Sequence, residues 1–220
     1  MNKEIIIKKE HIVPVFNNRF LNVYDIQYKE GKHYYNASRR TAENLVAVKS
    51  LEEMKSMVPD AVSCVVVIDD GAAEPRLLLA REYRYPAGQF LLGVPAGLID
   101  ADDANEKEPA LSAARREIKE ETGIELSEGD RLELVSPMVF STPGMTDETN
   151  AIALAVIKRD VANELSQNGA VGSEKFDGFV LLTKDQALQT LKSGRDSFGV
   201  PYLTYTWMAL MYFVSDMWKE

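Results

Sequence analysis

The chain has 220 residues, of which 45% are hydrophobic and 27% are charged, with a net charge of −9 and an isoelectric point near 4.9. This length allows one domain, or one domain with an appendage, and the composition is that of an ordinary soluble globular protein. The negative charge argues against a nucleic-acid binder, because phosphate backbones attract basic surfaces. Cys64 is the only cysteine, so no internal disulfide can form, and a cytoplasmic location is expected.

Two apolar stretches superficially resemble membrane-directing segments. The run at residues 5–7 is too short for a signal peptide. No charge lies between Asp196 and Asp216, but Pro201 interrupts this run, and residues 202–215 are too few and too rich in Tyr and Thr to span a bilayer. We therefore expect a buried terminal helix and no membrane contact.

Residues 1–56 predict a small antiparallel β appendage, and residues 57–220 predict the main domain. The predicted strands of the appendage are short β-branched or aromatic runs at 12–16, 20–28 and 34–38, with 45–48 closing the sheet. Residues 51–57 read either as a short helix or as a linker. Because so thin a sheet is marginal alone, we expect it to pack on the main domain or on another subunit.

The main domain alternates predicted strands with predicted helices. The strands are expected at 62–68, 77–79, 90–94, within 131–140, at 151–157 and at 179–182. The helices are expected at 108–122, 161–167, 184–192 and 202–218. Helices that sandwich a mixed sheet define an α/β or α+β fold.

Residues 116–124 carry the most specific pattern in the chain. Their sequence is Arg-Glu-Ile-Lys-Glu-Glu-Thr-Gly-Ile, in which Glu117, Glu120 and Glu121 are spaced to share one face of a helix. Like charges at this spacing repel, and a solvated acidic face is the ordinary explanation. Mg²⁺ is the functional alternative, because it prefers oxygen ligands and accepts carboxylates beside substrate phosphates.

These residues resemble the end of the Nudix signature, Gly-x5-Glu-x7-Arg-Glu-U-x-Glu-Glu-x-Gly-U, where U is apolar. Glu108 matches the first glutamate. Gly97 matches the first glycine, but ten residues separate it from Glu108 instead of five, so residues 100–107 form a lengthened turn. The structural positions of the motif are therefore Gly97, Glu108, Arg116 and Gly123. The resemblance implies a Nudix-type α/β/α sandwich.

Residues 95–100, Pro-Ala-Gly-Leu-Ile-Asp, are similar to the stretch that opens the signature in ADP-ribose pyrophosphatases. That resemblance implies a Mg²⁺ site, with Mn²⁺ as an alternative, on the Ala96 carbonyl, Glu117 and Glu121. Glu120 would be a further ligand or would act through water. Arg116 is also spaced to pair with Glu120 at i+4.

The same resemblance extends to two residues outside the motif. Residues 141–148 look like the substrate loop of those enzymes, in which Glu148 follows a Pro-Gly pair, although a plain turn is the alternative. Arg84 matches an arginine that contacts the diphosphate, although an isolated arginine at a strand end is more often a surface residue.

In these enzymes an N-terminal sheet exchanges contacts across a homodimer and supplies residues to the nucleotide. Tyr34, Arg39 and Arg40 lie where such residues are expected, since arginine suits phosphate and an aromatic face suits adenine. Ordinary sheet surface is the alternative. The resemblance thus implies a homodimer.

A late acidic loop is expected to supply the base that activates water. Glu174 is the candidate, although Phe176 occupies a place where related enzymes often carry a second glutamate. Glu148 and Glu120 are the alternatives.

Together these residues predict Mg²⁺-dependent hydrolysis of a nucleoside diphosphate sugar, with ADP-ribose giving AMP and ribose 5-phosphate. The alternatives are another nucleotide sugar, a nucleoside triphosphate, or a Nudix-fold sensor that binds without cutting. The presence of all three helix glutamates argues against a sensor.

Overall fold

The computed structural model describes residues 5–161, 163–169 and 172–220. The chain forms two compact units, one of Met1–Asp60 with Met138–Asn150 and the other of Ala61–Pro137 with Ala151–Glu220. The division into an appendage of residues 1–56 and a main domain of residues 57–220 stays a prediction.

The first unit contains a three-stranded antiparallel sheet in the order β1-β2-β3. Its strands are β1 (Ile12–Asn17), β2 (Asn22–Lys29) and β3 (Lys32–Ser38), which confirms the predicted appendage strands. Ile12, Tyr24, Ile26 and Leu45 form its small buried core.

The expected fourth strand at 45–48 is wrong. Val46–Val48 is a 3-10 turn, in which Val48 and Lys49 donate to the carbonyls of Leu45 and Val46. These local hydrogen bonds replace a strand ladder, and Leu45 is still fully buried. A short helix follows, α1 (Leu51–Lys55), and the Ser50 side chain caps it by accepting from the Glu53 amide.

The second sheet has seven strands in the order β10-β5-β4-β9-β8, with β6 paired to β5 and β7 paired to β4. The strands are β4 (Ala61–Ile68), β5 (Arg76–Arg84), β6 (Gln89–Gly93), β7 (Ala96–Leu98), β8 (Arg131–Phe140), β9 (Thr149–Ile157) and β10 (Phe176–Leu182). All eight residues of β4 are buried, so both faces of this central strand are covered.

Helices cover the central strands of this sheet. They are α2 (Ala101–Ala104), α3 (Pro109–Thr122), α4 (Lys184–Ser193) and α5 (Thr204–Val214). Ala113, Ala114 and Ile118 of α3 pack with the buried, apolar residues of β4, including Cys64. Helix α5 is anchored by Thr206, whose Oγ1 donates to the Leu92 carbonyl at 2.6 Å. The predicted α/β fold with a mixed sheet is confirmed.

Three boundaries differ from the expectation. Residue 162 lies outside the described residues, and the rest of 161–167 forms turns rather than a helix. The terminal helix ends at Val214, and Asp216 adopts a left-handed φ of 62° before a final 3-10 turn. The lengthened turn at 100–107 contains α2. No helix in the described part of the chain is long and apolar enough to cross a membrane.

Candidate active site

Helix α3 is fixed at both ends by backbone geometry. Pro109 occupies its first turn, where the missing amide hydrogen costs nothing. Gly123 ends it with φ of 77°, and its amide donates to the Lys119 carbonyl at 2.9 Å. A Cβ at Gly123 would lie 2.6 Å from the Glu164 carbonyl oxygen, so a side chain does not fit there.

The helix directs two of its three glutamates into the protein. Glu117 is 6% exposed and Glu121 is 4% exposed, whereas the side chain of Glu120 is one-third exposed. Burial of two carboxylates one turn apart is costly without a partner or a cation. The pair therefore does not fit a solvated acidic face.

Strand β7 lies directly against these carboxylates. The Ala96 amide donates to Glu121 Oε2 at 3.4 Å. A Cβ at Gly97 would lie 1.9 Å from Glu117 Oε1, so only glycine leaves that carboxylate in its place. Two of the predicted motif positions, Gly97 and Glu117, are thus in contact.

Arg116 links the helix to the preceding turn. Its Nη1 donates to Glu117 Oε1 at 2.7 Å and to Glu120 Oε2 at 3.2 Å, which confirms the predicted i+4 pair. Its Nη2 donates to Asp103 Oδ2 at 2.7 Å and to the Leu98 carbonyl at 2.8 Å. These acidic partners raise the pKa of Arg116, so the guanidinium stays charged.

Burial and neighbouring charges raise the pKa values of three carboxylates around this helix. Burial, with the charges of Glu117, Glu82 and Glu174, raises the pKa of Glu121 to about 9. Burial also raises the pKa of Glu117, against the opposing charge of Arg116. The pKa of Glu82 is raised by burial and, further, by Glu174, while Arg84 lowers it. Without a cation, Glu121 therefore holds its proton at neutral pH.

Strand β5 and the acidic loop complete the surroundings. Arg84 Nη2 lies 2.5 Å from Glu82 Oε2, and among the described residues the buried Arg84 Nε has no hydrogen-bond partner. The residues on both sides of Glu174 are hydrogen-bonded to the end of β5 and to the residue that follows it. Tyr85 donates its hydroxyl to the Ser173 carbonyl at 3.3 Å, and the Tyr83 amide donates to Lys175 at 2.8 Å.

The remaining predicted residues lie in the first unit, and three of them, Arg39, Arg40 and Glu148, line a cavity of about 360 Å³. Arg39 Nε is 3.5 Å from Glu148 Oε2, and both residues line the cavity. Arg40 is held by Asp60 at 2.7 Å and by Asp147, and its side chain is only 12% exposed. The Tyr34 hydroxyl donates to the Gly144 carbonyl at 2.8 Å.

Two acidic residues of the site, Glu82 and Asp103, were not among the residues predicted from the sequence. Glu82 stands two residues before Arg84, and strand alternation places both side chains on one face. Asp103 follows Gly97 after five intervening residues, which is the spacing that the signature prescribes for its first glutamate. Glu108, which was matched to the signature instead, is an exposed N-cap without a side-chain capping bond.

Comparison with known proteins identifies the family and the fold. The NUDIX domain family matches residues 57–199. The chain is 30% identical over 141 residues to the mouse protein named ADP-sugar pyrophosphatase, covering 64% of this chain and 61% of that one. It is 28% identical over 157 residues to the Saccharomyces cerevisiae protein named ADP-ribose pyrophosphatase, covering 71% and 60%.

A solved structure titled as an ADP compounds hydrolase superposes with a TM-score of 0.57 at 18% identity, covering 94% of this chain and 92% of that one. This likeness shows the fold. The chain belongs to the NUDIX domain family. The chain spans about three fifths of the length of the two relatives named above.

Proposed function

We propose that this chain hydrolyses the diphosphate bond of a nucleoside diphosphate sugar, with ADP-ribose as substrate and AMP and ribose 5-phosphate as products. The observation that carries this proposal is the buried Glu121, whose pKa is raised to about 9 by its burial and by the charges of Glu117, Glu82 and Glu174. A divalent cation would relieve the repulsion between these charges. The printed names of the mouse and yeast relatives support the choice of substrate.

The donor set fits Mg²⁺, or Mn²⁺ as the alternative. Among the described residues, no group of three or more His, Cys, Asp or Glu side chains is arranged to hold a metal ion alone. Mg²⁺ in particular is commonly bound by one or two carboxylates and by substrate phosphates. Glu117, Glu121 and the Ala96 carbonyl would hold it, and Glu120 would assist directly or through water. The ion would neutralise the diphosphate and favour ionisation of the attacking water.

The chain's own residues then divide the reaction between them. Glu174 takes the proton of the water that adds across the phosphoanhydride bond, and the bond to the leaving phosphate oxygen breaks. Arg84 contributes donors to the oxygens on which charge develops, since arginine matches phosphate geometry. The buried Arg84 Nε without a partner among the described residues is a donor that a phosphate could use.

The first unit supplies the remaining contacts in this proposal. Tyr34, Arg39, Arg40 and Glu148 would bind the nucleotide, in a homodimer located in the cytoplasm. The exposed Arg39, which lies beside Glu148 at the cavity, is better placed for a ligand than the largely buried Arg40.

A substrate panel tests the proposal. Purified protein with Mg²⁺ is incubated with ADP-ribose, ADP-glucose, GDP-mannose and nucleoside triphosphates, and the phosphate-containing products are identified. Selective release of AMP from ADP-ribose, lost in Glu121→Gln, is the expected result. Preference for another compound would change the substrate and keep the chemistry. Tight Mg²⁺-dependent binding without turnover of any compound would favour the sensor and sink the proposal.

A further inference from the structure

The lengthened turn before α3 places a buried carboxylate on the motif arginine. Asp103 is 4% exposed and accepts from Arg116 twice, from Nη2 at 2.7 Å and from Nε at 3.2 Å. The other oxygen of Asp103 accepts from the Ser112 hydroxyl at 3.0 Å. Both oxygens of this carboxylate therefore accept hydrogen bonds from side chains of α3.

The turn itself is built to present Asp103. Asp100 caps α2 by accepting from the amides of Asp102 and Asp103 at 2.9 and 3.0 Å. The Asp100 amide in turn donates to Asp103 Oδ2 at 3.4 Å. This reciprocal capping fixes the backbone of Asp103 before its side chain reaches the helix.

Arg116 connects Asp103 to the glutamates of the site. The same guanidinium that Asp103 holds donates to Glu117 and to Glu120, and also to the Leu98 carbonyl at the end of β7. Without Asp103, Arg116 would lose two hydrogen bonds, and Asp100 Oδ2, 3.8 Å from Nε, would be the carboxylate left in that turn. Groups that orient metal ligands in this way are worth about 10- to 100-fold in metal affinity or activity.

We propose that Asp103, and not Glu108, is the acidic residue that positions Arg116 and through it the metal-binding glutamates. This inference rests on the proposed function. Because of the residues inserted between Gly97 and Glu108, Glu108 lies at the exposed N-cap of α3. Asp103 is instead the buried carboxylate that contacts Arg116. Asp103 is a positioning residue, because it acts through Arg116.

Titration of Mn²⁺, followed by the electron paramagnetic resonance signal of the free ion, tests this role without requiring turnover. Asp103→Asn is expected to weaken Mn²⁺ binding about tenfold and to lower kcat on ADP-ribose by a similar factor at subsaturating metal. Saturating Mn²⁺ is expected to restore most of kcat, which a defect in substrate contacts would not allow. Asp102→Asn, an exposed carboxylate in the same turn, is the control and is expected to match the wild type within twofold.

The outcomes separate this inference from the proposed function. A folded Asp103→Asn with wild-type Mn²⁺ affinity, or a larger defect in Glu108→Gln, would overturn the inference. If the wild-type protein binds Mn²⁺ but does not hydrolyse ADP-ribose, the proposed substrate is refuted. The Mn²⁺ titration would still decide whether Asp103 positions the metal-binding glutamates. If Asp103→Asn does not fold, Ser112→Ala replaces it, since it removes only the support of Asp103. Mn²⁺ affinity unchanged in a folded Ser112→Ala would then also overturn the inference.

Discussion

Gly97 and Glu117 are in such close contact that a single methyl group on Gly97 would occupy the place of the Glu117 carboxylate, 1.9 Å from its Oε1. The two residues belong to different elements, β7 and α3, and the absent side chain of one shapes the position of the other. The group that would have to move is the Glu117 carboxylate, at the end of a flexible side chain. A methyl group on Gly97 should therefore leave the fold intact but displace this carboxylate from the site.

Gly97→Ala is therefore expected to weaken Mn²⁺ binding by at least about tenfold while changing the free energy of unfolding by less than about 1 kcal/mol. Mn²⁺ titration and denaturant unfolding measure the two quantities. Gly129→Ala is the matched control, because a Cβ there meets nothing within 4 Å. Equal metal affinity in both variants would show that Glu117 does not bind the ion.

Glu121→Gln is expected to stabilise the metal-free protein at alkaline pH. Because burial and neighbouring carboxylates raise the pKa of Glu121 to about 9, the folded state binds more protons than the unfolded state between pH 4.5 and pH 9. The contribution of Glu121 to the free energy of unfolding therefore falls as pH rises through that window.

The measurement is the melting temperature in a chelator at pH 5, 7 and 8.5. The variant should melt higher than the wild type at pH 8.5 by the equivalent of at least about 1 kcal/mol, with a flatter pH dependence. Some slope should persist, because the pKa of Glu117 and that of Glu82 are also raised. A variant that is less stable than the wild type at pH 8.5 would mean that Glu121 is not strained by its surroundings.

Glu174→Gln is expected to lower kcat at least about a hundredfold with substrate binding retained, the scale of a lost general base. The charge of Glu174 already raises the pKa of Glu82, Glu117 and Glu121, so the residue is near all three. Steady-state kinetics on ADP-ribose make the measurement, with the exposed Glu128→Gln as control. Turnover near the wild-type value would rule out Glu174 as the base.

Gly123→Ala is expected to destabilise the protein more than Gly194→Ala does. Both glycines end helices with left-handed backbones, at φ of 77° and 67°, and any side chain costs about 1 kcal/mol there. Only at Gly123 would the Cβ also meet a backbone atom, the Glu164 carbonyl oxygen at 2.6 Å. We expect a loss of about 3 kcal/mol at Gly123 and about 1 kcal/mol at Gly194 in urea unfolding. Equal losses would contradict the close approach.

Arg40→Ala and Arg39→Ala separate stability from binding in the first unit. Removal of Arg40 would leave Asp60 and Asp147 without their cation, at a cost of about 3 kcal/mol. The half-exposed Arg39 should cost less than about 0.5 kcal/mol, and its loss should raise KM for ADP-ribose if it contacts the nucleotide. Urea unfolding and steady-state kinetics give both values. A stable Arg40→Ala with raised KM would assign the ligand contact to Arg40 instead.

The periodic and short-range features of this protein were readable from the sequence. The spacing of Glu117, Glu120 and Glu121 predicted the acidic helix, because residues three and four apart meet on one turn. The continuous apolar run at 62–68 predicted strand β4, and Gly123 predicted the end of α3. The pairing of Arg116 with Glu120 followed from the same helical geometry.

Tertiary structure decided which of these residues share a site and which acid serves Arg116. A sequence motif is defined by spacing along the chain, and the residues inserted after Gly97 change that spacing. Glu108 therefore matches the motif by its distance from Arg116, whereas Asp103 is the residue that accepts hydrogen bonds from Arg116. Likewise the contact between Gly97 and Glu117 and the influence of Glu82 and Glu174 on Glu121 join separate strands, a helix and a loop. Their energies depend on burial and distance through space, which no local pattern records. The sequence therefore determined the helix and its chemistry, and the packing around it determined which groups can act together.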